Sequence, residues 1–204
     1  MPRRILLPVL LLLAGVLAAA LLLAPRLLPP GEQSPEVRFV REMTQHHTQA
    51  VDMAIRIRER SRDPQLRTIA LDMLLSQQEQ IGQMRGWLTI WGRPWGGEGM
   101  SAEHARMMGM ATPAEVARIS TLPPRQSEVQ FLQLMTRHHQ GALAMVTPVL
   151  EARVRPEVRA LAAQIQNAQA AEIRLMTTLL RERGAQPLPA PGGMDMGGHD
   201  HSRP

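Results

Sequence analysis

Displaced by 92 residues, the chain aligns with itself without a gap, and this duplication limits what it can fold into. Phe39, Met43, Thr44, His46 and His47 meet Phe131, Met135, Thr136, His138 and His139. The register runs on through Ala50/Ala142, Met53/Met145, Glu59/Glu151, Pro64/Pro156, Arg67/Arg159, Ala70/Ala162, Gln77/Gln169, Ile81/Ile173 and Met84/Met176 to Gly92/Gly184. Four of the seven histidines and six of the fourteen methionines fall at matched positions. A duplication that keeps those residue types implies one composite site built from two halves.

Each repeat reads as a helical hairpin. Ser34-Pro35-Glu36 supplies a cap residue, a proline at the first helical position and an early acid, and helical periodicity continues to about Arg60. Asp63-Pro64 restarts a helix that Gly92 stops. Residues 92–111 are Gly-rich and read as a loop, and Thr112-Pro113-Ala114-Glu115 opens a short connecting helix ending before Pro123-Pro124. The second repeat predicts helices from about Ser127 to Ala152, kinked at Pro148, and from Pro156 to Arg183, with Gly184 as the stop. No segment alternates with period two, so the expected fold is all-α. One amphipathic hairpin cannot bury its own apolar face, whereas two related hairpins packed together can, as a four-helix bundle over residues 31–184 with repeats at 39–92 and 131–184. Residues 185–204 are rich in Pro and Gly and are expected to be disordered.

Composition narrows the function. With no cysteine there are no disulfides, thiolate ligands or cysteine nucleophiles, and with no lysine there is no Schiff-base chemistry. Residues 31–204 carry 20 Arg against 18 acids, and no basic block is interleaved with aromatics, so nucleic acid is not an expected partner. Arg3-Arg4 precede an apolar run from Ile5 to Ala24. Residues 1–30 therefore read as a signal peptide, with Ala18-Ala19-Ala20 as a cleavage site, or as an uncleaved membrane anchor. Either places the remainder outside the cytoplasm, in the periplasm or tethered to the inner membrane.

On a helical wheel, Phe39, Met43, His46, Ala50 and Met53 form one stripe with His47 on its border, and the second repeat copies it with Phe131, Met135, His138, Ala142, Met145 and His139. Four imidazoles on buried faces need partners. A metal ion would satisfy one nitrogen of each ring it binds, and a hydrogen-bonded cluster is the alternative. Methionine at helical spacing is ordinary core filler. Met43, Met135, Met53 and Met145 nonetheless flank the doublets within two turns, which suits a mixed thioether–imidazole site. Met107-Met108-Gly109-Met110 with His104, and the tail Met194, Met196, His199 and His201, repeat the theme. Thioethers select Cu(I) or Ag(I), and imidazole accepts both copper states and zinc. Gln77 and Gln169 are placed to orient the ring N–H groups, Glu172 is a one-sided oxygen ligand, and its counterpart Gln80 reads as an ordinary flank residue.

The doubled Met-x-x-His-His element, together with Gln77 to Leu88, the Met108-to-Pro113 segment and Gln169 to Met176, resembles the domain-of-unknown-function family 305 over about residues 35–184. That resemblance implies an exported protein with a ferritin-like helical bundle, and some members bind copper in the periplasm. Gln80 departs from the acidic residue usual at that position.

The leading expectation is therefore an exported, non-enzymatic protein that binds, sequesters or delivers copper, with zinc or silver as other candidate ions. His46, His47, His138 and His139 are the expected ligands, and Met43, Met135, Met53 and Met145 the soft donors. Metal ions are the expected partners, with the membrane through an uncleaved N-terminus and a second copy of the chain as further candidates. A pH-sensing bundle is the second reading. A ferritin-like metal oxidase is the third, disfavoured because neither doublet has Glu three residues ahead.

Overall fold

The computed structural model describes residues 11–15, 17, 28–97 and 99–193. Among these the chain is all-helical. From Pro35 onward its α-helices are α1 (Pro35–Arg60), α2 (Pro64–Ile90), α3 (Ala102–Met107), α4 (Pro113–Thr121), α5 (Pro124–Glu151) and α6 (Pro156–Glu182), followed by a 3₁₀ turn, Pro191–Gly193. No helix among the described residues is long and apolar enough to cross a membrane, and most of the apolar run Ile5–Ala24 lies outside them.

Helix boundaries follow local chemistry. The Ser34 hydroxyl accepts from the Val37 amide, and the Asp63 carboxylate from those of Gln65 and Leu66. Thr112 and Glu115 complete the expected capping box. Gly92 and Gly184 take φ of 64° and 70°, which lets the Arg93 amide reach the Leu88 carbonyl at 2.8 Å and the Ala185 amide reach that of Leu180 at 2.9 Å. Arg67 and Arg159 explain another matched pair. Each guanidinium folds back onto carbonyls at the end of the preceding helix, those of Arg58 and Ser61 in one repeat and of Leu150 and Ala152 in the other.

Three local expectations need correction. The Gly-rich loop contains α3, capped by the Ser101 hydroxyl on the His104 amide. Helix α5 starts earlier than Ser127, at Pro124, because proline suits the first helical position. Residues 185–193 are seated on the fold rather than loose. Ala185 and Leu188 pack on the core, Gln133 donates to the Gln186 carbonyl at 2.8 Å, and Pro191 is buried. The tail methionines and histidines from Met194 onward lie outside the described residues.

Helix α1 packs on α2, α5 on α6, and the hairpins meet through α1 and α5. Two apolar clusters result. One joins Val37, Phe39, Val40 and Met43 of α1 to Met84 and Leu88 of α2, Met145 and Val146 of α5 and Leu161 and Ile165 of α6. The other joins the opposite halves of the same four helices, with Met53, Ile57, Leu66, Met73, Phe131, Met135, Met176 and Leu180. The 92-residue shift exchanges the clusters, so the duplication is a pseudo-two-fold relation. Glu36 and Glu128 obey it as well. Glu36 accepts from the Arg155 amide at 2.6 Å, and Glu128 from the Ser61 hydroxyl at 2.6 Å. Each carboxylate thus clasps the turn of the other hairpin.

Candidate metal centre

Between the two clusters lies a polar layer built from the middle of α1 and α5. His46, His47, His138 and His139 are wholly buried there. The His46 and His138 rings stack with centroids 3.6 Å apart. His47 lies 6.3 Å from His46, and His139 6.2 Å from His138. The helical stripe read from the sequence therefore brings both doublets into one interior layer, on neighbouring helices.

Every ring spends its Nε2 on a protein oxygen. His46 Nε2–H donates to the Met108 carbonyl at 3.1 Å, and His138 Nε2–H to the His46 carbonyl at 3.1 Å. His47 Nε2–H donates to Gln80 Oε1 at 2.7 Å, and His139 Nε2–H to Glu172 Oε2 at 2.7 Å. All four partners are acceptors, so the neutral rings carry their protons on Nε2, and each Nδ1 keeps an open lone pair. All four Nδ1 atoms are buried and have no hydrogen-bond partner. Leaving four such acceptors unsatisfied is costly in a folded core.

His46, His47 and His138 stay neutral. Burial, then the charge of His47, holds His46 down to about 3, against the opposing hydrogen bond to Met108. Burial likewise lowers His47 to about 4. His138 falls well below its ordinary value through burial and the neighbouring imidazoles. Neutral imidazole is the form that binds a metal.

The outer partners differ from those expected. Gln80 and Glu172 orient the border rings, whereas Gln77 and Gln169, one turn earlier, are buried and leave both polar atoms and Oε1, respectively, unpaired. Gln80 is thus more than a flank residue, and Glu172 accepts from the His139 ring. The methionines fall on either side of the layer: Met43 and Met145 in one apolar cluster, Met53 and Met135 in the other, all buried. Among the described residues, no three His, Asp or Glu side chains form a ready ligand group. The four imidazoles share a layer without making a preformed carboxylate–imidazole cage.

One structural partner was not foreseen. The segment 108–111 crosses the layer because Gly141 removes a side chain: a Cβ there would sit 1.7 Å from the Met108 carbonyl oxygen. At the matched position on α1, Gln49 grips the same segment. Its Nε2 donates to the Ala111 carbonyl at 2.9 Å, and its Oε1 accepts from the Ala111 amide at 2.7 Å. The sequence signal was the break in the repeat, Gln49 against Gly141, beside the second doublet.

A DUF305 fragment from Deinococcus radiodurans is 54% identical, with 75% of this chain and 99% of that one covered and a TM-score of 0.70. A Streptomyces coelicolor DUF305 protein thought to be secreted is 38% identical, covering 78% and 99%, with a TM-score of 0.71. CopM in its Cu(II)-bound form is 28% identical, covering 71% and 94%, with a TM-score of 0.61, and CopM in Cu(I)-bound and Ag-bound forms is also similar. No curated protein matches. The family model for the domain of unknown function DUF305 matches residues 36–190, and the chain belongs to that family.

Proposed function

We propose that this protein binds copper, foremost as Cu(I), in the buried histidine layer, and sequesters it or passes it on outside the cytoplasm. The observation that carries this reading is the set of four Nδ1 lone pairs, buried and unpaired, on rings whose Nε2 protons are already committed. His46, His47, His138 and His139 are the imidazole donors, and Met43, Met53, Met135 and Met145 the thioethers at the edges of the layer. The donor chemistry favours a soft ion. Structural zinc asks for four ligands in a tetrahedron, whereas no group of three is assembled among the described residues. Cu(I) and Ag(I) accept fewer donors and take thioethers readily. The likeness to CopM in Cu(I)- and Ag-bound forms supports a soft ion, and its Cu(II)-bound form supports copper in either oxidation state. On this reading residues 31–184 are a ferritin-like four-helix bundle with its metal layer at mid-height, and residues 1–30 direct it out of the cytoplasm. No chemistry beyond coordination and exchange is required.

A second reading, a bundle that loosens in acid, is favoured by the low proton affinity of His46, His47 and His138. Thermal melting with and without Cu(I), Cu(II) and Zn(II) separates the two. Copper binding stabilises the native chain by about 2.7 kcal/mol at a hundredfold excess over the dissociation constant, and so raises its melting temperature. It does not raise that of a His47→Gln/His139→Gln variant. A native chain indifferent to copper leaves the acid-sensitive reading standing and removes the copper one.

A further inference from the structure

All three tryptophans of the chain, Trp87, Trp91 and Trp95, fall within nine residues around the end of α2. Trp87 and Trp91 stack with centroids 6.1 Å apart. Trp95 folds back, its indole N–H donating to Thr89 Oγ1 at 2.8 Å. Arg85 lies over the Trp95 ring at 5.3 Å and Arg155 over the Trp91 ring at 5.8 Å. Yet Ile90 is 79% exposed and Trp95 58%. Trp91 is buried, and the surface this pole shows to water is Ile90 and the Trp95 ring with the Arg85 guanidinium over it.

The N-terminal chain enters at the same pole. Arg93 donates to the Pro30 carbonyl at 3.0 and 2.8 Å through Nε and Nη2, and Arg155 donates to the Leu28 carbonyl. The apolar run Ile5–Ala24 ends four residues before Leu28. Four residues reach at most about 14 Å when fully extended. A run of this length matches the roughly 30 Å hydrocarbon layer of a bilayer. With so short a tether, a spanning run leaves this pole nowhere to sit but against the headgroups. Indole and guanidinium are the groups that favour that zone, the first for its amphipathic ring and the second for its hydrogen bonds to phosphate.

We infer that the run Ile5–Ala24 stays attached as a membrane anchor and that the tryptophan pole, through Ile90, Trp95 and the flanking arginines, rests on the lipid surface. The inference is independent of what the imidazoles hold. It also fixes orientation: the end of the bundle where α1 begins and α2 ends faces the bilayer, with the histidine layer above the seated pole.

The absence of cysteine makes the test direct. Ile90→Cys introduces a single thiol at the pole. Leu75→Cys, on the same helix and 57% exposed, introduces one about 22 Å further along the axis. Each full-length variant is labelled with an environment-sensitive fluorophore and reconstituted into phosphatidylglycerol–phosphatidylethanolamine vesicles. The label at 90 is expected to shift to the blue and to be quenched by brominated lipid, while the label at 75 reports water. Equal, water-like emission from both labels on membrane-bound chain overturns the inference. So does recovery from bacterial cells of a soluble chain lacking residues 1–24.

Discussion

Glu172 and Gln80 occupy matched positions and hold matched imidazoles at the same distance, 2.7 Å, but only one of them is an acid. The duplication has kept the geometry of the outer partner and changed its charge. A carboxylate makes the opposite nitrogen of its imidazole a stronger donor than an amide does, and it offsets the charge of a bound cation. The two halves of the layer are therefore chemically unequal.

From that inequality, Glu172→Gln is expected to weaken copper binding by about tenfold, and Gln80→Glu to strengthen it. Competition against a chelator of known affinity checks both. Equal affinities across the native chain and the two variants would show that the outer partners only fill space.

Acid should unfold the apo protein. In the unfolded chain a histidine takes up its proton near pH 6.5, whereas His46 and His47 in the fold do so only near 3 and 4. The unfolded state binds more protons throughout that window, so stability is complete above about pH 6.5 and falls as the pH drops toward 4. Each ring contributes up to about 1.4 kcal/mol per pH unit. Circular dichroism during acid titration measures the midpoint, and saturating Cu(I), which competes with protons for the rings, is expected to move it to lower pH.

The crossing segment gives a packing prediction. Gly141→Ala forces its methyl into the Met108 carbonyl, so the segment or α5 must shift, at a cost of about 1–3 kcal/mol. Gly86→Ala, on α2 with nothing within 4 Å of the added carbon, is expected to stabilise by about 0.5–1 kcal/mol. Urea denaturation of the two variants reads the opposite signs. Faster hydrogen exchange at residues 108–111 in Gly141→Ala would place the damage at the His46 acceptor.

The helices were legible because their ends are local. Ser34, Asp63, Thr112, Gly92 and Gly184 act within four residues, and the structure places each where its chemistry demands. The burial of the His doublets was legible too, since one stripe of period 3.6 carries Phe39, Met43 and His46 to the core. What lay beyond reading was non-local. Whether a ring on α1 meets position 77 or 80 of α2 depends on its rotamer and on the angle between the helices, and neither is set by spacing. The Met108 carbonyl reaches His46 only because Gly141, 33 residues later in the chain, lets the backbone pass. Residues 185–193 look like tail by composition, but Leu188 and Pro191 find apolar surface that only the assembled fold provides.

The central claim is that copper is held through Nδ1 while every Nε2 keeps its proton. Nitrogen-15 NMR of histidine-labelled protein, titrated with diamagnetic Cu(I) or Ag(I), tests it most directly. The account predicts that metal moves the Nδ1 resonances of His46, His47, His138 and His139 and leaves their Nε2–H signals in place. Loss of the Nε2 protons on metal addition, or Nδ1 resonances that do not move, would contradict it.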